Sequence, residues 1–425
     1  MRPFLSIPFL TSSLFLVTAS PMSRDGKGSS FNLKPFTVDL SDGVPHMIDL
    51  AERTRLPTEG DYFDPNAGIS LETLQSLRKE LIENFDWNAE QQELNKYALR
   101  RQIAIEVLTL TDTTRLHHFT AEIENQTIHF IHQQSDNPEA IPLVLNHGWP
   151  GSFLEFIPLI EKLRDDFHII IPSLPGFAFS SAPPPTWTVD DTARLFNTLM
   201  TEVLGYPKYA AYGTDWGSGV AYSLYANFNT SVRLVHLSFL PFVPLYRTQL
   251  AAEGIKLSPL EEFEAQVAEE WATTGNAYYM EQATKPNTIG LALYDNPVGQ
   301  LSWIAEKLIV WSDPRAGTPP SVLDHNEMLK TVALYYLTKS FASSVYIYYS
   351  NPNGFMTNYT KAETDAPLLF SAFKYNPGFW PPELVGRVGN LVSYKNHEFG
   401  GHFSGLDNPV ALAEDLKDIK KYWGR

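Results

Sequence analysis

The segment Tyr209-Ala-Ala-Tyr-Gly-Thr-Asp-Trp-Gly-Ser-Gly219 leaves few folds open. A short apolar β-run enters Gly213-x-Asp215-x-Gly217, and residues 218–227 leave it with the pattern of a helix. A glycine two positions either side of Asp215 lets the chain turn sharply from strand to helix, so that the middle side chain stands exposed at the C-terminal edge of a sheet. Similar short apolar runs occur at 141–146, 167–172 and 233–238, separated by helical stretches at 153–163 and 190–203. This alternation predicts an α/β fold, a doubly wound and mostly parallel sheet with right-handed crossovers and helices on both faces.

The identity of the elbow residue constrains the chemistry. A serine there attacks a carbonyl carbon. A carboxylate suits a saturated carbon carrying a leaving group, because the product is an ester that water can later cleave. A serine attacking the same carbon would leave an inert ether. Asp215 therefore points to an epoxide or an alkyl halide rather than an ester or amide.

With 425 residues, the chain is long enough for one large domain with a cap and an extension. A net charge of −16 argues against nucleic acid or an anionic membrane as the main partner. The absence of cysteine excludes disulfides, thiolate catalysis and Cys-ligated metals. His129 and His132 fall in an alternating stretch that points them to opposite faces, so no metal site is expected, and no phosphate-binding glycine motif calls for a nucleotide cofactor. Met1-Arg2, the apolar run to Val17 and the small residues ending at Ala19 read as a secretory signal over 1–19, followed by a polar leader over 20–34. A secreted or secretory-pathway protein is expected, with association with the endoplasmic reticulum membrane as the alternative. The run is too short and too broken to span a bilayer well.

Residues 35–134 form a helix-rich, acidic extension, with Ser70 placed to cap a helix over 71–85 and a strand at 127–133. The sheet domain takes 135–241 and 365–425. From 242 to 364 the β signal stops, and helices at 261–271, 299–310 and 324–337 read as an inserted cap with loops after it. Loops rich in Pro, Asn and Gly continue to about Gly378. The sheet signal resumes at 389–394, and a closing helix runs over 409–422.

An elbow nucleophile takes its acid and then its histidine from later in the chain. His236, His325, His397 and His402 all follow Asp215. His236 lies in an apolar strand and His325 in the cap. His402, in Gly400-Gly-His-Phe-Ser404 just before the last helix, is placed to swing over the elbow.

Ten fragments, in order, resemble the microsomal-type epoxide hydrolases of the α/β-hydrolase superfamily. They are Phe85-Asp-Trp87, Leu94-Asn95, His147-Gly-Trp-Pro-Gly-Ser152, Pro172-Ser-Leu-Pro-Gly-Phe177, Gly213-Thr-Asp-Trp-Gly-Ser218, Thr284-Lys-Pro-Asn-Thr-Ile-Gly290, Asn296-Pro-Val-Gly299, Glu306-Lys307, Trp311-Ser312 and Gly400-Gly-His-Phe403. The resemblance implies that Asp215 opens an epoxide and that two cap tyrosines protonate the departing oxygen. Tyr278 maps to the first. The second falls among Tyr346, Tyr348 and Tyr349, and register favours Tyr348. His402 is the implied base for water, and Glu383 in Trp380-Pro-Pro-Glu-Leu384 is by family position its orienting acid. Glu398 is too near His402 in sequence to be preferred. The backbone N–H groups of Trp149 and Trp216 are placed to serve as an oxyanion hole. Partners are then a small apolar epoxide and water, with no cofactor.

The residues after His402 depart from the family's usual two alanines and glutamate. An apparent insertion over 101–118 also separates Leu94-Asn95 from the strand at 127, and is read as a retained intron. A haloalkane dehalogenase shares the carboxylate nucleophile but has no use for paired tyrosines. An epoxide-opening cyclase would keep the tyrosines but could dispense with His402 and Glu383.

Overall fold

The computed structural model describes residues 31–58, 64, 67–96 and 116–424. The expected signal over 1–19 lies outside these residues, as do most of the leader and of the insertion.

Nine strands form one sheet in the order β1-β2-β3-β5-β4-β6-β7-β8-β9. The centre is parallel: β4 (Ile141–Asn146) lies between β5 (Phe167–Pro172) and β6 (Tyr209–Gly213), followed outward by β7 (Val232–Leu237), β8 (Pro367–Tyr375) and β9 (Asn390–Gly401). β4 is apolar nearly throughout because both its faces are buried, as parallel strands flanked by helices require. The chain winds to one side of β4 through β5 and to the other through β6. This switch of direction opens a crevice at the strands' carboxyl ends, where the elbow falls.

The 35–134 segment joins the sheet as well as carrying helices. It supplies β1 (Lys34–Pro35), β2 (His118–Ile123) and β3 (Gln126–Gln133), which extend the sheet antiparallel from β5. His129 and His132 do face opposite ways: His129 meets Ser173 and His118, and His132 meets Tyr206. The extension's helices run over Val44–Arg53, Leu71–Glu83 and Trp87–Asn95. Ser70 caps the second through Thr73 N at 3.0 Å. Asp86 caps the third, accepting from Asn88 N and Ala89 N, which accounts for the Phe85-Asp-Trp87 motif. The end of that helix is tied to the entering chain, as Asn95 Oδ1 accepts from Val38 N at 2.9 Å.

Between β7 and β8 the cap contributes the helices Pro259–Glu270, Ala277–Thr284, Pro297–Val310, His325–Leu337 and Tyr346–Ser350. Asn296-Pro-Val-Gly299 is a helix start. Asn296 Oδ1 accepts from Gly299 N at 2.8 Å, and a Cβ on Gly299 would meet Asn296 Nδ2 at 2.6 Å. The extension clamps the cap through Glu80 to His325 and Glu90 to Lys330.

β8 falls where the sequence predicts loops from the cap to Gly378. Pro367-Leu-Leu-Phe-Ser-Ala-Phe-Lys-Tyr375 shows no alternation because most of its residues are buried on both faces. Dense Pro, Asn and Gly on either side conceal its short apolar run. β9 is also longer than expected, so His397 lies within the strand rather than after it.

Candidate active site

Asp215 occupies the first turn of the helix Asp215–Asn227 with φ +47°, a left-handed conformation that costs a non-glycine residue about 1–3 kcal/mol. Its surroundings leave the backbone no alternative. A Cβ on Gly213 would lie 2.2 Å from Gly217 O, and one on Gly217 would lie 2.1 Å from Asn146 O. Gly148 presses on the nucleophile itself, since a Cβ there would fall 2.1 Å from Asp215 Oδ1. That approach brings Trp149 N–H to Asp215 Oδ1, to which it donates at 2.7 Å. Trp216 follows in the first helical turn, where backbone N–H groups have no acceptor within the helix.

His147 holds this loop in place. Its Nδ1–H donates to Gly148 O at 3.0 Å and its Nε2 accepts from Leu174 N at 3.1 Å. Burial depresses its pKa to about 4, so the ring is neutral and structural. Glu155 is also buried beside the loop, and burial, with the Asp215 charge second, pushes its carboxyl well above the usual range.

The cap lowers an aromatic ceiling onto the elbow. Tyr278 stacks on Trp149 with ring centres 5.5 Å apart, and Tyr348 meets Trp216 edge-on at 4.9 Å. The two phenol rings meet edge-on with their centres 6.0 Å apart. Both are buried, and burial first of all, with the Asp215 carboxylate contributing, drives their pKa values well up, so both hydroxyls keep their protons. Of the three clustered tyrosines only Tyr348 points inward: Tyr346 bonds Asn287 at the surface and Tyr349 is exposed. With Phe239, Trp271, Tyr279 and Phe355, these rings enclose a cavity of about 20 Å³ over Asp215, room for about one water.

His402 reaches the same cavity from the turn after β9. Its backbone N–H donates to Trp311 O at 2.8 Å, and its ring packs edge-on against Trp311 and Phe239. Nε2 lies 3.4 Å from Asp215 Oδ2. Nδ1 is 2.9 Å from Asn376 Oδ1, and Asn376 Nδ2 donates to Ser238 O at 3.0 Å. Because Nδ2 is committed to a carbonyl, Oδ1 must be the acceptor. His402 therefore carries a proton on Nδ1 and turns its Nε2 to the nucleophile.

Glu383 is not the group that holds His402. It is exposed in the first turn of the short helix Pro382–Val388, and Asn376, in the turn directly after β8, takes that place. The sequence carries no strand signal for β8, and so none for the turn after it where the orienting group sits. The remaining candidates are engaged elsewhere. His397 pairs with Asp415 at 2.6 Å, Glu398 with Lys374, His236 with Ser371 and His325 with Glu80.

A strained carboxylate at a strand–helix elbow, a backbone donor on one of its oxygens, paired buried phenols and a histidine facing it define an α/β-hydrolase built to alkylate and then free an aspartate. The comparisons agree with that class. A model of the epoxide hydrolase N terminus matches residues 33–114 and 108–156, and one of the alpha/beta hydrolase fold matches 141–286. The structure of Aspergillus niger epoxide hydrolase is 31% identical, covers 93% of this chain and 98% of its own, and superposes with a TM-score of 0.76. Juvenile hormone epoxide hydrolase from the silkworm Bombyx mori is 26% identical over 93% of this chain and 95% of its own, with a TM-score of 0.77. Epoxide hydrolase 1 of Sus scrofa is 29% identical over 95% of this chain and 91% of its own length. The chain belongs to the epoxide hydrolase family and is an epoxide hydrolase, acting on a small apolar epoxide with water. The dehalogenase and cyclase alternatives give way to that activity.

The narrower microsomal-type placement is corrected. Among the described residues no helix is long and apolar enough to cross a membrane, and the alignment with the fungal enzyme runs nearly end to end.

Proposed function

We propose that the vicinal diol forms in two chemical steps divided between Asp215 and His402. In the first, Asp215 Oδ2 attacks an epoxide carbon and the ring C–O bond breaks, while Tyr278 and Tyr348 donate to the departing oxygen. Asp215 Oδ1 then becomes the ester carbonyl oxygen, already in contact with Trp149 N–H. In the second, His402 Nε2 takes a proton from water, and the hydroxide bonds to Asp215 Cγ. The oxyanion on Oδ1 is held by Trp149 N–H, with Trp216 N–H as the second donor. Collapse breaks the Cγ–Oδ2 bond, the diol alkoxide takes the proton held by His402, and the carboxylic acid left on Asp215 returns its proton to the tyrosinate formed in the first step.

The observation that carries this reading is the division of labour on one carboxylate: Oδ1 is bound by a backbone donor at 2.7 Å while Oδ2 faces the histidine at 3.4 Å. A single turnover in ¹⁸O-water tests it. The first diol molecule should be unlabelled, with label entering the peptide that contains Asp215, and Asp215→Asn should form no diol. Labelled diol in the first turnover would mean that water attacks the epoxide directly.

A further inference from the structure

The geometry points to Asn376 as a positioning residue that fixes the tautomer of His402 yet withholds the charge its imidazolium needs, so that ester hydrolysis limits turnover. This rests on the two-step reading above. The amide does half of what a carboxylate would do there. It accepts from Nδ1–H, is itself locked by Ser238 O, and keeps Nε2 aimed at Asp215. A carboxylate would also stabilise the cation that forms when His402 takes the proton of water, because a hydrogen bond between two ionised groups is about twice as strong as one between neutral groups.

Among the described residues no carboxylate takes the place of that charge beside Nδ1. Among the described residues its one ion-pair partner is Asp215. By the step that creates the imidazolium, that carboxylate has already become a neutral ester. Glu383 is exposed, and Asp313, which lies beyond Trp311, is paired with Arg315. Ring opening needs no cation on His402 and keeps all its groups: the Asp215 charge, both phenols and the Trp149 donor. The first step is thus fully equipped, and the second creates an imidazolium whose Nδ1 side meets only a neutral amide.

The consequence is kinetic. When hydrolysis is slow, kcat equals the hydrolysis constant, and KM falls below the binding constant by the ratio of hydrolysis to ring opening. A change confined to hydrolysis therefore moves kcat and KM together and leaves kcat/KM where it was. A change in folding or in substrate binding does not give that pattern.

The test uses the full-length enzyme with styrene oxide, rapid quench, intact-protein mass and diol yield. Wild type should show a burst in which most sites carry one added styrene oxide mass, decaying at the rate kcat. Asn376→Asp should raise the hydrolysis constant, kcat and KM about tenfold or more, within the usual range for general-base assistance, with kcat/KM unchanged. Asn376→Ala, which frees the ring, should slow hydrolysis while the burst phase keeps its rate. If Asn376→Asp fails to fold, because its second oxygen meets Ser238 O, the wild-type burst and the alanine variant decide. Absence of ester in turning-over wild type, with Asp215→Asn inactive, overturns the inference and spares the two-step reading. So does an Asn376→Asp enzyme with unchanged kcat, or with kcat raised at constant KM. Full activity in Asp215→Asn would overturn both.

Discussion

The two halves of the site are built by different means. On the attack side, backbone sets the geometry: a left-handed Asp215, three glycines without room for a Cβ, and the Trp149 N–H at 2.7 Å. On the water side, side chains set it: His402 is oriented by one amide, itself oriented by one carbonyl. Backbone geometry tolerates almost no substitution, whereas a side-chain contact can be exchanged while its direction is kept. This is how the water side comes to hold an asparagine where catalysis would favour an acid.

The sharpest attempt to break that contrast is Gly148→Ala. Its methyl would lie 2.1 Å from Asp215 Oδ1, and the adjoining loop, pinned by His147 to Leu174, has little freedom to withdraw. Ring opening should fall by about 10³-fold or more, since a displacement of about 1 Å at a reacting group costs about 10²-fold and here the oxyanion donor is lost as well. Single-turnover ester formation, with circular dichroism to verify folding, measures it. Near-normal ester formation would show that the attack side is as adaptable as the water side.

Tyr278→Phe and Tyr348→Phe probe the ceiling at smaller amplitude. Each should slow ring opening by about 10- to 100-fold, and the pair by more, within the range for proton donation to a leaving group. Decay of ester once formed should be unaffected, because neither phenol is needed there. If both constants fell equally, the phenols would be shaping the cavity and not donating protons. Unequal single-variant losses would tell which hydroxyl delivers the proton.

How far the site could be read from sequence follows the same division. The elbow was legible because steric demands on Gly213 and Gly217 write themselves as glycines at fixed spacing. Tyr348 is favoured over Tyr346 and Tyr349 only by its place in the family resemblance; its burial, with Tyr346 and Tyr349 at the surface, comes from the cap's packing. The group holding His402 was not legible. Its position depends on β8, whose buried faces remove the alternation that marks a strand, and whose flanks look like loop. An asparagine in such a stretch carries no sign of catalysis, whereas Glu383 nearby carried the right charge in the wrong place. The β1–β3 ladder was likewise only part-legible, because its pairing with β5 is a tertiary contact that leaves no local pattern.

The smallest expected effect comes from Lys307, in the Glu306-Lys307 motif to which the two steps assign no role. Its ammonium sits 5.1 Å from the ring centre of Tyr278 and 4.9 Å from that of Trp303, and it pairs with Glu306. Burial lowers its pKa, with the Glu306 carboxylate opposing, which is what a largely desolvated cation against two aromatic faces should show. A cation over a phenol ring favours the charge that develops as the hydroxyl gives up its proton, an effect of about 0.5–2 kcal/mol. Lys307→Met keeps the stem and removes the charge. Ring opening should slow by about 2- to 30-fold on that energy, and ester hydrolysis should keep its rate. Combining it with Tyr278→Phe removes the ambiguity: without the phenol, loss of the cation should cost ring opening nothing further. An additional loss in the double variant would make Lys307 a packing residue of the cap and leave the acidity of Tyr278 to Asp215 and burial alone.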